Sequence, residues 1–348
     1  MMRKFSAEDL PPKGRFHYHQ GVFLSGMYQC YELTQKQYYF DYIKAWVDSI
    51  INEKGEIHSF CPDELDDIQP GILLFPLAEK TGDPRYDTAL KTLMEILKHW
   101  KKNEVGGYWH KEECPNEMWL DGLYMGGSIQ VQLAKRYHDP ELMDAAAEQA
   151  VLMYRYTRDP KTGLLYHAYA GKKEVYWADP KTGLAPEFWG RALGWFLVAS
   201  LDILEYLPQE HRFYEEIKQA FIDTAKAVIS FQDDARGMWY QVVDKGQCAD
   251  NWLESYCTAL FTYAILRGIR AGYLPEQYLQ NGERGYRGLI QTVKFEDGEL
   301  VLDGICVGTC VGDYNFYVQR PTCANDLHGM GAFLLMCSER ARCTALGE

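Results

Sequence analysis

The chain is 348 residues long, 47% hydrophobic and formally charged at -13, with ample apolar material for a large core. That acidity, with no basic stripe and no nucleic-acid module, excludes nucleic acid and disfavours a long polyanion. No apolar run approaches the roughly 20 residues of a membrane span, so no membrane partner is expected.

Helical periodicity comes in pairs along the chain, one member rich in Gly, Ala and aromatics and the other ordinarily amphipathic. The first kind is predicted to start near Gly21, Leu65, Leu120, Trp189, Trp252 and Asn325. The amphipathic kind is predicted over residues 37–52, 84–101, 141–158, 211–232 and 275–294, giving six of one and five of the other. Asp83-Pro84 and Asp139-Pro140 punctuate two of these pairs.

A turn and a short strand are expected between pairs, at residues 54–58, 106–110, 162–167 and 236–241, each upstream of a Gly-rich helix start. The segment from Tyr169 to Pro186 is long enough to form a loop over a cavity. Close-packed helical hairpins with their loops gathered at one end predict an all-α (α/α)6 barrel, read as one domain over residues 1–348. A superhelical solenoid is the alternative, but six units fit closure better.

Within this frame the stretch Trp119-Leu120-Asp121-Gly122-Leu123-Tyr124-Met125-Gly126 sets a carboxylate among aromatics at an inner-helix start. Leu65-Asp66-Asp67-Ile68-Gln69-Pro70-Gly71 is its earlier echo, with Gly again five residues after the Asp. Asp121 is therefore the candidate general acid and base. A helix N-terminus favours the carboxylate, so holding a proton needs desolvation against aromatics or a second carboxylate nearby, for which Asp66 is the candidate. Read structurally, both would be helix caps.

Trp189-Gly190-Arg191-Ala192-Leu193-Gly194-Trp195 sets Arg191 between two Trp, an anion clamp beside sugar-stacking surfaces, or else a core ion pair. His110 with Lys111, and His167, are candidates for sugar hydroxyls or a carboxylate. Asn325-Asp326-Leu327-His328-Gly329 adds His328 and Asp326, with capping the competing use of Asp326 and of Glu254. Frequent aromatics (25 Tyr, 15 Phe and 9 Trp), several beside His, Arg, Asp or Gly, suit a sugar site. No typical zinc spacing, phosphate loop or nucleophile elbow occurs. The ten Cys lack paired metal spacing, and the start Met1-Met2-Arg3-Lys4-Phe5 runs into polar residues, which predicts reduced thiols in a cytoplasmic protein.

These motifs, with Gly21-Val22-Phe23-Leu24-Ser25-Gly26-Met27-Tyr28 and Arg320-Pro321, resemble in order and spacing the unsaturated rhamnogalacturonyl hydrolases of glycoside hydrolase family 105, from about His19 to the end. The resemblance implies an (α/α)6 barrel acting on the unsaturated uronic acid that a polysaccharide lyase leaves at a non-reducing end. It makes Asp121 the group that protonates C4 of the C4=C5 bond and activates the water added at C5. The resulting hemiketal opens and releases its aglycone. Asp66 becomes a second essential or substrate-binding carboxylate, and His110, Trp119, His167, Trp189, Arg191 and Trp195 the pocket wall, with no metal or organic cofactor expected.

Two departures from the family pattern carry expectations. His19 stands where an aromatic residue often sits, so its contact with the sugar differs. The outer helix that commonly precedes the first inner helix is missing or very short, which predicts self-association over the gap, or else a start further upstream.

The leading reading is thus an enzyme releasing the unsaturated uronic acid from unsaturated galacturonyl-rhamnose. Its rivals are an unsaturated glucuronyl hydrolase, an inverting glycosidase with carboxylates roughly 6.5 to 9.5 Å apart, and a catalytically silent sugar-binding barrel.

Overall fold

The computed structural model describes residues 1–172 and 175–345. Six inner helical runs alternate with five outer helices among these residues and close into an (α/α)6 barrel. Inner α1 (Tyr18–Thr34), α3 (Leu74–Thr81), α5 (Ser128–Tyr137), α7 (Gly190–Tyr206), α9 (Ser255–Arg270) and α12 (Leu327–Ala345) surround the axis. Outer α2 (Gln37–Ile50), α4 (Pro84–Lys98), α6 (Pro140–Thr157), α8 (Tyr214–Ser230) and α10 (Leu279–Thr292) wrap them. A short α11 (Tyr314–Val318) precedes the last inner helix.

Burial separates the two kinds as their composition requires. α7 is buried without interruption from Gly190 to Leu201, and α9 from Ser255 to Gly268; a helix walled in on all sides can be apolar all round. α4 buries Tyr86, Ala89, Leu90, Leu93 and Leu97, a single stripe at helical spacing. Its Asp83-Pro84 pair starts it: the Asp83 carboxylate accepts from Arg85 N–H, and Pro occupies the first helical position, where no N–H is needed. Asp139-Pro140 starts α6 in the same way.

The ring closes where α12 packs on α1. A Cβ on Gly331 would lie 2.4 Å from the Val22 carbonyl oxygen, and one on Gly26 would lie 2.6 Å from the Gly331 oxygen, so only glycine permits this approach. Residues 1–17 contain one 3-10 turn, Ala7–Asp9, as the shortened first hairpin predicts. The outer flank of the seam is consequently a groove lined by Phe23, Met27, Met330, Phe333 and Leu334. Met1, Met2 and Phe5 fold back against the core there and supply part of the missing cover.

The expected short strands are reduced, three of them to single bridges: Ile51 with Ile57, Lys102 with Tyr108, and Arg158 with Leu165. The chain turns into an inner helix too soon for a ladder to grow. Regular pairing occurs elsewhere, in the two-stranded sheets β1 (Glu117–Trp119) with β2 (Ala168–Ala170), β3 (Lys294–Glu296) with β4 (Glu299–Val301), and β5 (Ile305–Cys306) with β6 (Thr322–Cys323). No helix is long and apolar enough to cross a membrane among the described residues.

Candidate active site

One backbone contact recurs around the mouth of the barrel. Leu65 N–H donates to His110 O (3.1 Å), Leu120 N–H to His167 O (3.0 Å), Gly190 N–H to Gln241 O (3.0 Å) and Ser255 N–H to Gly304 O (3.0 Å). The residue after each donor is, in turn, Asp66, Asp121, Arg191 and Tyr256. Successive repeats thus deliver two acids, a cation and a phenol at equivalent places. The first three line one cavity of about 500 Å³.

The repeat also explains why each acid meets an imidazole, because the carbonyl that accepts from the residue before the Asp belongs to the His that the Asp pairs with. His110 Nε2 lies 3.4 Å from Asp66, and His167 Nε2 lies 3.0 Å from Asp121 Oδ2. Neither Asp is a helix cap: Asp66 sits in the 3-10 turn Leu65–Asp67, and Asp121 lies two residues before a π-helical segment, Leu123–Gly127. Single-turn π segments are often found at functional sites. Glu254, by contrast, is a cap, accepting from the N–H groups of Cys257 and Cys306.

The two pairs differ in charge. Burial opposes ionisation of Asp66, but the His110 charge and hydrogen bond outweigh it and hold the carboxyl at about 2, while Asp66 in return raises His110 against its own burial. In the second pair burial dominates the imidazole and lowers His167, so it is neutral near pH 7. Asp121 is pushed up by burial and pulled down by His167, His110 and Arg191, with a net downward shift. Each carboxylate thus has an imidazole partner of its own. In the free protein Asp121 is an anion.

Arg191 is buried and makes no ion pair within 4 Å among the described residues, though its charge reaches the carboxyls of Glu254 and Asp326. Its guanidinium donates to the carbonyls of Cys306 (2.7 Å) and Val307 (3.0 Å), with the Trp189 ring at 4.5 Å and the Tyr256 ring at 5.2 Å. The core ion pair that the sequence left open is absent there. Those two carbonyls use only part of the guanidinium's five-donor fork.

His19, Lys111, Trp119 and Trp195 line the cavity with Asp66, His110, Asp121 and Arg191. Trp119 stacks on His110 (4.3 Å between centroids), and Tyr124 covers one face of Trp195 (4.2 Å). Three predicted wall residues lie behind the wall instead, fully buried: His167 backs Asp121, Trp189 supports Arg191 and stacks on Tyr317, and His328 lies between the rings of Tyr18 and Tyr256.

Several cavity residues escaped the sequence reading. His17 is held by Asp67 (2.7 Å), which also pairs with Arg15 (3.2 Å), so the second Asp of Asp66-Asp67 has a separate structural task. Gly308, Thr309, Cys310 and Arg320 come from the chain between β5 and β6, where Arg320 donates to Gly308 O and Thr309 Oγ1. Tyr176 reaches the cavity from the predicted covering loop and donates to Val311 O (2.9 Å); residues 173 and 174 of that loop lie outside the described residues. The signals available were only the density of aromatic and polar residues before α1 and the Arg320-Pro321 pair.

His19, Asp326 and His328 bring ligand-type atoms within 4.8 Å of one another. Both imidazoles are neutral, with burial and the nearby Arg191 charge holding His19 at about 3 and His328 well below its ordinary value. The same Arg191 charge acts on Asp326, and a dication added to this group would face it. That charge counts against a metal ion here, and among the described residues both buried ring nitrogens of His328 lack a hydrogen-bond partner.

Residues 1–344 match the family model Glycosyl Hydrolase Family 88. The fold superposes on a family 105 glycoside hydrolase of C. acetobutylicum with a TM-score of 0.93 and 32% identity, over 98% of this chain and 96% of that one. An unsaturated rhamnogalacturonyl hydrolase of Bacillus subtilis (strain 168) is 24% identical over 297 residues, 84% of this chain and 79% of that protein. The unsaturated glucuronyl hydrolase of Bacillus sp. GL1 shares the fold, with a TM-score of 0.71 and 15% identity over 94% of this chain and 88% of that one.

Proposed function

The chain belongs to the family 88 and 105 glycoside hydrolases, and from that premise we propose that it releases the unsaturated uronic acid from unsaturated galacturonyl-rhamnose by hydrating the C4=C5 bond. The observation that carries this reading is a buried guanidinium with no direct ion pair among the described residues, Arg191, lining one cavity with an acid, Asp121, whose imidazole partner is neutral. Arg191 receives the uronate carboxylate, and Trp119 offers an apolar face to the sugar. The 24% identity to the Bacillus subtilis unsaturated rhamnogalacturonyl hydrolase favours a rhamnose aglycone.

Substrate binding reverses the electrostatics of Asp121. The incoming carboxylate offsets the Arg191 charge and displaces water, and both effects raise the Asp121 carboxyl so that it enters the reaction protonated. Asp121 then gives its proton to C4, positive charge develops at C5, and the regenerated carboxylate takes a proton from the water that attacks there. Asp121 ends protonated, and the C5 hemiketal opens to free the aglycone. Asp66, held ionised by His110, accepts hydrogen bonds from ring hydroxyls.

Two lesser parts belong to the same proposal. A cytoplasmic setting agrees with ten free thiols. Self-association at the α1–α12 groove is checked by light scattering, where a strictly monomeric protein removes it.

A panel of disaccharides tests the main reading. Unsaturated galacturonyl-rhamnose should lose the ultraviolet absorbance of its conjugated double bond while free rhamnose forms, faster than unsaturated glucuronyl disaccharides do. Comparable turnover of the saturated analogue would overturn hydration as the reaction, and a preference for the glucuronyl series would reassign the substrate.

A further inference from the structure

We propose that Tyr317 is a positioning residue that fixes the tautomer of His167 and so decides which oxygen of Asp121 exchanges protons with substrate. The inference rests on the role proposed for Asp121. The phenol is fully buried beside the cavity, on α11, and has two polar neighbours: it accepts from Gly312 N–H at 3.1 Å and lies 2.6 Å from His167 Nδ1.

The direction of that second bond follows from counting protons. Burial holds Tyr317 well above its ordinary value, so it remains a phenol with a proton to place. Gly312 N–H can only donate, which leaves His167 Nδ1 as the acceptor. Were Nδ1 itself protonated, the phenolic proton would be buried without a partner, at a cost typical of an unsatisfied donor. His167, kept neutral by burial, therefore carries its proton on Nε2 and donates it to Asp121 Oδ2. Oδ2 is thereby occupied, and Oδ1 is the oxygen free to give and take the reacting proton.

The parallel pair lacks this device. Among the described residues His110 Nδ1 is buried with no hydrogen-bond partner, and its Nε2 stands further from Asp66, at 3.4 Å. Of the two carboxylate–imidazole pairs, the one with a relay behind it is the one whose acid must cycle a proton. The relay also reaches the cavity rim, since Gly312 follows Gly308, Thr309 and Cys310, which line it.

Nitrogen NMR of 15N-histidine protein tests the tautomer without substrate, with His167 assigned by its loss in His167→Gln. Wild-type protein should show protonated Nε2 and bare Nδ1 through the neutral range, and Tyr317→Phe should shift the ring toward the Nδ1–H form. A wild-type ring protonated on Nδ1 would overturn the proposal. In turnover of unsaturated galacturonyl-rhamnose, Tyr317→Phe should lower kcat about tenfold, as expected from one buried hydrogen bond, with KM unchanged and the alkaline limb moved to higher pH. That shift follows because Asp121 loses an N–H that stabilises its anion. A Tyr317→Phe enzyme with wild-type kcat and pH profile would sink the inference even if Asp121→Asn is inactive, whereas an active Asp121→Asn would sink the underlying reading and leave the NMR result to judge the relay.

Discussion

The barrel has a cavity at each end, and their charges are arranged in opposite ways. At the mouth, Arg191 is held by carbonyls and rings while each acid pairs with an imidazole. At the far end, a cavity of about 570 Å³ is lined from the later turns of the inner helices, and there the charges pair with one another. Arg267 bridges Asp202 (2.5 Å) and Glu205 (2.6 Å), and Arg270 and Arg342 converge on Glu339. Two cavities of similar volume therefore differ in how their buried arginines are held: Arg267 and Arg270 pair with carboxylates at one end, whereas Arg191 at the mouth is held by carbonyls and rings.

Substitutions can break this contrast, and the largest effect belongs to the mouth. Asp121→Asn should fold normally and lose about 10²- to 10⁴-fold in kcat, the usual scale for removing a general acid and base. Near-normal turnover by the folded variant would remove the functional distinction between the ends. At the opposite end, Arg267→Met strands Asp202 in a buried position and should cost about 3 to 5 kcal/mol of stability. Urea unfolding would register it, while kcat of the folded fraction stays at the wild-type value; a proportionate loss of kcat would mean that the two ends are coupled.

Arg191→Lys sharpens the contrast, because it keeps the charge and loses the planar fork. KM should rise about 10- to 100-fold, the range for one hydrogen bond to a charged group. A sharp fall in thermal stability with KM unchanged would instead make Arg191 a structural residue, like Arg267.

The smallest expected effect is a pH dependence at Asp66 and His110. His110 is raised on folding, so its contribution is complete below its ordinary 6.5 and fades as pH climbs through the higher folded value. Asp66 is lowered from 3.8 to about 2, so its contribution is complete above 3.8 and is lost as pH falls toward 2. The pair stabilises most between those limits. The stability gap between wild type and His110→Gln should thus be wider near pH 5 than near pH 8, and an unchanged gap would mean that the pair carries no net charge interaction.

The hairpin order was legible because burial imposes helical spacing on the outer helices and because Asp-Pro pairs both punctuate and cap. Asp66, Asp121 and Arg191 were legible because the fold repeats, and with it the local sequence at each inner-helix start. What stayed hidden depends on contacts between distant segments. Nothing local distinguishes Asp66 from Asp67, although one lines the cavity and the other anchors His17. His167 meets Tyr317 across 150 positions, and the family resemblance gave it wall duty whereas its ring stands behind Asp121. The expected strands were overestimated because aromatic and β-branched runs mark an extended segment without revealing how briefly it finds a partner.

The seam between α1 and α12 also sets the order in which this protein can be assembled. Arg342 donates to Gln29 across 313 positions, and His19 from the first helix lies against His328 from the last. A nascent chain emerging from the ribosome can form its middle hairpins early, since their contacts are local. The ring stays open until α12 docks on α1, a closure of high contact order and hence slow. Closure of the barrel is therefore a late step in folding.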